Sequence, residues 1–170
     1  DKTLNYKGAG KHGVSALQSS FGKNLLGRGI VVGVGDNAQI ETSHIDFNGR
    51  VINRVPFPIS FHGTHVSGTV AGAGLMDQRY SGMAPRATIV SQYLSDIITS
   101  VPAYVNDYNM IATNNSYTNA EAGCEGTGTY DITSNYVDMQ MGEYNQLLHV
   151  FSAGNDGSNT CSPYPLSFST

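Results

Sequence analysis

The sequence predicts an α/β fold, a three-layer αβα arrangement with a mainly parallel central sheet. Three observations predict it. Short apolar, β-branched runs recur along the chain and each ends in polar residues, as strands buried on both faces do. Helical candidates stand between them, and such alternation makes a parallel sheet covered on both sides. The 170 residues are 39% hydrophobic and 13% charged, which suits one packed domain and excludes a disordered acidic chain or a coiled coil.

The first helical candidate, His12 to Gly22, spaces Val14, Leu17 and Phe21 by three and four residues and stops at Gly22. "GIVVGVGD", Gly29 to Asp36, reads as the first buried strand. "THVSGTVAGAG" reads as a helix although its small residues have poor helix propensity, so close packing has to hold it. "ATIVSQYL", Ala87 to Leu94, is the next strand. Thr99 to Met110 is a helix with Pro102 in its first turn. "MIATNNS", Met110 to Ser116, is a strand. Asp131 to Tyr144 is a helix with Asp131 as its cap and Val137, Met141 and Tyr144 on one stripe. "LLHVFSAGN", Leu147 to Asn155, closes the series as a strand. Functional residues of parallel sheets gather at the carboxyl ends of strands, where Asp36, Ser116 and Asn155 stand.

Composition removes several function classes. A net charge of −4 without a block of like charges lacks the basic footprint of a nucleic-acid binder. No apolar run approaches the roughly 18 residues of a membrane span. The chain opens at Asp1 without the basic head and apolar run of a signal peptide, so a leader, where one exists, has been removed or lies outside these 170 residues. Low charge, 20 glycines and abundant Ser, Thr, Asn and Tyr fit a secreted protein. Cys124 and Cys161 match no zinc spacing, and both a single bridge and two free thiols remain open for them.

"FHGTHVSGTVAGAG", Phe61 to Gly74, carries two histidines three residues apart. As a metal site, His62 and His65 lack the further ligands that would complete zinc coordination. As a general base, a histidine at a helix start meets the positive end of the helix dipole, which favours the neutral, proton-accepting ring. Such a base needs an orienting carboxylate and a nucleophile. Asp36, where a buried strand meets a loop, is the best carboxylate. Asn155, flanked by Gly154 and Gly157, is an amide able to aim its N–H at a developing oxyanion.

"VGVGD", "HGTHVSGTVAG", "GMAP", "NNSYTN" and "FSAGNDG", in that order and at those separations, resemble the subtilisin-like serine peptidases from about Gly13 onward. The resemblance implies that Asp36 is the triad aspartate, His62 the triad histidine and Asn155 the oxyanion-hole amide, with His65 a structural neighbour in the helix. It implies that Ser116, Tyr117 and Thr118 form the strand that pairs with an extended peptide or protein substrate, and that Ser152, Ala153 and Gly154 line the opposite wall. Asp46, in "SHIDF", matches a carboxylate that often ligates calcium in the family, although "GLMDQRYSG" differs in length and residue type from the loop that completes that site. No cofactor is required, and calcium would be structural. Asn37 and Ala38 stand where the family has Ser or Thr and then Gly, and Asn37 is able to donate to the Asp36 carboxylate. Thr118 stands where the resemblance implies the primary pocket and is able to narrow it, so no side-chain preference is carried over.

The nucleophile motif, Gly-Thr-Ser followed by Met and Ala, occurs nowhere in the chain, and Thr170 lies fifteen residues beyond Asn155. Residues 1–170 therefore read as the N-terminal part of one subtilisin-like catalytic domain, with a sheet incomplete on its C-terminal side. The expected function is a secreted serine endopeptidase whose serine lies on a C-terminal fragment, this chain being inactive alone. The alternative is a non-catalytic relative that binds extended peptides by strand addition at "NNSYTN".

Overall fold

A computed structural model describes residues 5–19, 21–117 and 129–155. Five parallel strands form one sheet in the order β2-β3-β1-β4-β5. They are β1 (Val31–Asp36), β2 (Val51–Asn53), β3 (Thr88–Tyr93), β4 (Met110–Asn115) and β5 (Leu148–Phe151). The helices are α1 (Asn5–Lys11), α2 (Val14–Gln18), α3 (Phe61–Ala71), α4 (Asp96–Thr99), α5 (Val101–Tyr108) and α6 (Ile132–Glu143). The α/β architecture expected from the alternation of apolar runs and helices is the one observed.

Adjacent residues of a strand point to opposite faces, and each face has its own core. Val34 and Ile89 pack with Ile40, Phe47, Ala71 and Ala87 on the side that α3 covers. Val90 and Met110 pack with Ile97, Ile98, Val101, Tyr104 and Leu147 under α4 and α5, with Tyr136 and Val137 of α6 against them.

Several elements depart from the sequence reading. The first predicted helix is only Val14–Gln18, and Phe21 lies beyond it, fully exposed. It is preceded by α1, whose NYKGAGK sequence has two glycines and no buried residue, hence no apolar stripe to read. The helix expected over Thr99 to Met110 is α5, with Pro102 in its first turn as expected, and a separate short helix that the sequence reading did not give, α4, precedes it. Asp131 caps α6 as expected, its side chain accepting the Ser134 N–H. Of the predicted stripe on α6, Val137 and Tyr144 pack against the core while Met141 is exposed, and the fully buried residue is Gln140, which donates to the Ile98 carbonyl at 2.9 Å. β5 ends at Phe151, so Asn155 follows its strand by four residues instead of closing it.

Candidate active site

The carboxyl ends of the strands lie side by side: Asp36 pairs with Tyr93, Gly35 with Asn115, and Asn115 with Phe151. The last residue of β1 is thus held at the rim of the sheet. Just beyond it Gln39 bridges Ile59, through Gln39 N–H to the Pro58 carbonyl at 3.2 Å and Ser60 N–H to the Gln39 carbonyl at 2.9 Å. That bridge delivers the start of α3 beside Asp36. Ser60 caps the helix, its hydroxyl oxygen accepting the His62 N–H at 3.1 Å. Thr64 fixes the next turn, donating to the Ser60 carbonyl and accepting the Glu41 N–H.

The side of α3 that meets the sheet consists of Gly63, Ser67 and Ala71, spaced by four. A Cβ at Gly63 would lie 3.2 Å from both Cγ and Oδ1 of Asp36. The missing side chain is therefore what brings the helix onto the carboxylate, as expected of the small residues after His62.

Asp36 is 1% exposed. Its Oδ2 lies 2.8 Å from His62 Nδ1, and its Oδ1 accepts the Asn37 backbone N–H at 2.9 Å. A buried carboxylate needs such partners to offset its lost hydration. The donor at position 37 is the backbone, so the side-chain identity there is not what serves Asp36. With Nδ1 on the carboxylate, Nε2 of His62 is the nitrogen left to accept a proton. The His62 side chain is 52% exposed, open to a reacting group. The structure separates the two histidines: His65 lies exposed on α3 beside Phe61 and Tyr80, at a cavity of about 480 Å³.

Ser116 and Tyr117 continue from β4, and Ser152, Ala153, Gly154 and Asn155 continue from β5. The two segments start together, with Ser152 N–H donating to the Asn115 carbonyl at 3.1 Å. Ser116 accepts from the Asn114 side chain at 2.9 Å, and Asn155 is exposed. Tyr117 turns under the rim against Gly35, and burial, with the charge of Asp96, pushes its phenol up to about 12. Thr118, Cys124 and Cys161 lie outside the described residues.

Asp46 faces the turn that follows α3. Its Oδ1 accepts the Leu75 N–H at 2.8 Å, and Arg79 pairs with Asp77 at 2.5 Å in the following turn. Among the described residues no three His, Cys, Asp or Glu side chains converge to hold a metal.

Sequence reasoning did not find the Ser60 cap, nor a buried polar chain, Asn115–Thr113–His149, behind the rim. A serine two residues before the histidine was a readable cap signal. Alternation along β4 gave the face of Thr113 but not its partner.

Fold and site together define a class: a parallel α/β protein with a buried carboxylate and an open imidazole paired at the carboxyl ends of its strands. The model of the subtilase family matches residues 27–169, and the chain belongs to that family of serine peptidases. No curated protein matches it. The prenylagaramide maturation protease PagA is similar in structure, with TM-score 0.57 and 22% identity over 76% of this chain and 47% of that one. MycP1 from Mycobacterium smegmatis gives TM-score 0.57 and 20% identity over 91% of this chain and 46% of that one. The Aeromonas sobria serine protease, solved with the chaperone ORF2, gives TM-score 0.57 and 19% identity over 79% of this chain and 26% of that one. At these identities the likeness is one of fold, and the chain spans about half the length of the first two. Among the described residues no helix is long and apolar enough to cross a membrane.

Proposed function

We propose that the chain is the N-terminal part of a secreted serine endopeptidase and supplies its base, its orienting carboxylate and one oxyanion donor. The observation that carries this reading is the 2.8 Å contact between His62 Nδ1 and the buried Asp36. The nucleophile is a serine on a C-terminal segment outside these 170 residues. The serine oxygen attacks the peptide carbonyl carbon while its proton passes to His62 Nε2. Asp36 fixes the tautomer and stabilises the imidazolium. The tetrahedral oxyanion is met by the Asn155 side-chain N–H and a backbone N–H. His62 then returns the proton to the leaving amine as the C–N bond breaks, and water releases the acyl group by the same steps. Ser116, Tyr117 and Thr118 pair with the extended substrate, and Ser152 to Gly154 form the facing wall. Low charge and the Ser, Thr and Asn content support secretion. No step uses a metal.

The test combines the complete protein, a fluorogenic peptide and a fluorophosphonate probe. The probe is expected to label the serine-bearing segment and leave this chain unlabelled. His62→Ala is expected to lower kcat by roughly 10⁴-fold or more, and Asp36→Asn by about 10⁴-fold with folding retained. Wild-type hydrolysis by His62→Ala overturns the proposal. Peptide binding without hydrolysis, in a complete protein that has no reactive serine, establishes the non-catalytic alternative.

A further inference from the structure

Three arginines stand just ahead of three parallel strands. Arg50 immediately precedes β2, Arg86 stands two residues before β3, and Arg28 three residues before β1. These strands are neighbours in the sheet, with Val31 paired with Thr88 and Val51 with Ile89. Parallel strands begin at one edge, so the three residues meet at the amino ends of the sheet. There they line one cavity of about 710 Å³, together with Gln18, Asn48 and Ser81. Six residues of β1, a rise of about 20 Å, separate this edge from Asp36.

Among the described residues that line the cavity none is acidic. Arg50 is half-buried and donates to the Ala87 carbonyl at 2.5 Å and to the Asp46 carbonyl at 2.6 Å. Its Nε–H and one N–H on each terminal nitrogen are left unused among the described residues. Burial pushes its pKa down, and the charge of Asp46 only partly offsets that. The Asp46 Oδ1 is taken by the Leu75 N–H, and Asp77 is paired with Arg79. Arg28 and Arg86 are exposed, and among the described residues neither side chain has a hydrogen bond or an ion pair. The walls are built without them. The Arg86 backbone N–H donates to the Leu26 carbonyl at 2.8 Å, and the Gln18 side chain to the Gly82 and Met83 carbonyls at 3.2 and 2.9 Å.

The chain is acidic as a whole, with 9 Lys and Arg against 13 Asp and Glu, yet three of its cations gather where no carboxylate stands. Like charges so placed repel one another, and an anion among them relieves the repulsion. The chemistry of the donors selects the anion. A guanidinium presents two parallel N–H groups to two oxygens. A carboxylate has two oxygens and one charge, which suits a single such fork. A phosphate group has three or four oxygens and up to two charges, and meets forks that arrive from three strands. We propose that this cavity binds a phosphate group, free or carried as an ester, at a site separate from the peptidase cleft. Arg50 forms its floor, Arg28 and Arg86 flank its mouth, and the volume has room for the organic part of an ester. The proposal does not depend on the peptidase reading.

Calorimetric titration of the complete protein at low ionic strength tests it, with inorganic phosphate, glycerol phosphate and acetate as probes. Inorganic phosphate is expected to saturate one site per chain and to raise Tm with the logarithm of its concentration. Binding of glycerol phosphate as well supports a site open to esters, and binding of glycerol phosphate alone assigns the ester as the form recognised. Arg28→Gln combined with Arg86→Gln is expected to weaken binding at least tenfold. Peptide hydrolysis measured without phosphate should be unchanged in that variant, since neither residue belongs to the cleft. Acetate at equal ionic strength should reproduce none of these effects. An acetate effect equal to that of phosphate would mean charge screening alone and overturns the proposal, as does undiminished binding by the double variant. A wild type that takes up neither phosphate probe overturns it too, and a lower Tm in the double variant then identifies a carboxylate of the complete protein as the occupant. Hydrolysis of the peptide stands or fails separately from all of these readings.

Discussion

Two ionisable side chains of this protein, Asp36 buried and His149 half-buried, are treated differently. The Asp36 carboxylate sits in a dry site with both of its oxygens engaged, one by His62 and one by the Asn37 N–H. Among the described residues His149 meets the Thr113 hydroxyl, and burial pushes its pKa below the ordinary 6.5. That asymmetry gives a sign to the pH dependence of stability. Above pH 6.5 the ring is neutral in both the folded and unfolded chain, so the contribution of His149 is fully present. Below pH 6.5 the unfolded chain takes up the proton first, and stability falls until the folded ring is protonated too. Denaturant unfolding of the wild type and of His149→Asn is expected to agree in slope above pH 7 and to diverge below 6.5, the wild type losing more. Parallel curves down to the acid limit of folding would show that burial does not bear on this ring.

At the scale of elements, the register between α3 and β1 decides the site. The helix is nucleated by the Ser60 cap, a feature typically worth about 1 kcal/mol. It approaches the strand through Gly63. An alanine there gains roughly 1 kcal/mol of helix propensity. Its Cβ meets the Asp36 carboxylate at 3.2 Å, so either the helix or the carboxylate gives way by a few tenths of an ångström. Gly63→Ala is therefore expected to leave Tm nearly unchanged while kcat falls roughly tenfold and KM holds, because small misplacements of reacting groups are costly. A fall in Tm with kcat unchanged would place the role of Gly63 in stability alone. The same elements show what the sequence made legible. β1, β3 and β4 were readable because doubly buried strands leave continuous apolar, β-branched runs. The spacing from Asp36 to His62 was readable because it carries a family motif. The three-residue β2 was not, since Val51–Asn53 is too short for a pattern. Nor was the polar chain behind the rim, because strand periodicity assigns a face and never a partner.

At the scale of the molecule, the two ends of the described sheet differ. β2 closes one end as a short strand, which presents little edge for pairing. β5 closes the other with one face covered and one open. Leu147 is buried and His149 half-buried toward α6, whereas Leu148 and Val150, which alternate with them, are 55% and 47% exposed. A parallel strand with an open apolar face and an edge unpaired among the described residues is a template for association. In the proposed complete protein the serine-bearing segment covers this face, and in the chain alone another copy is the available cover. Sedimentation velocity of the isolated chain is expected to show association that grows with concentration. Val150→Lys, at an exposed position that no described core depends on, should weaken it without changing the circular dichroism spectrum. Addition of the serine-bearing segment should suppress it as well, in proportion to the activity it restores, because both effects depend on the same seat against β5. Activity restored without loss of self-association would mean that the segment docks elsewhere and that the open face of β5 has a different cover.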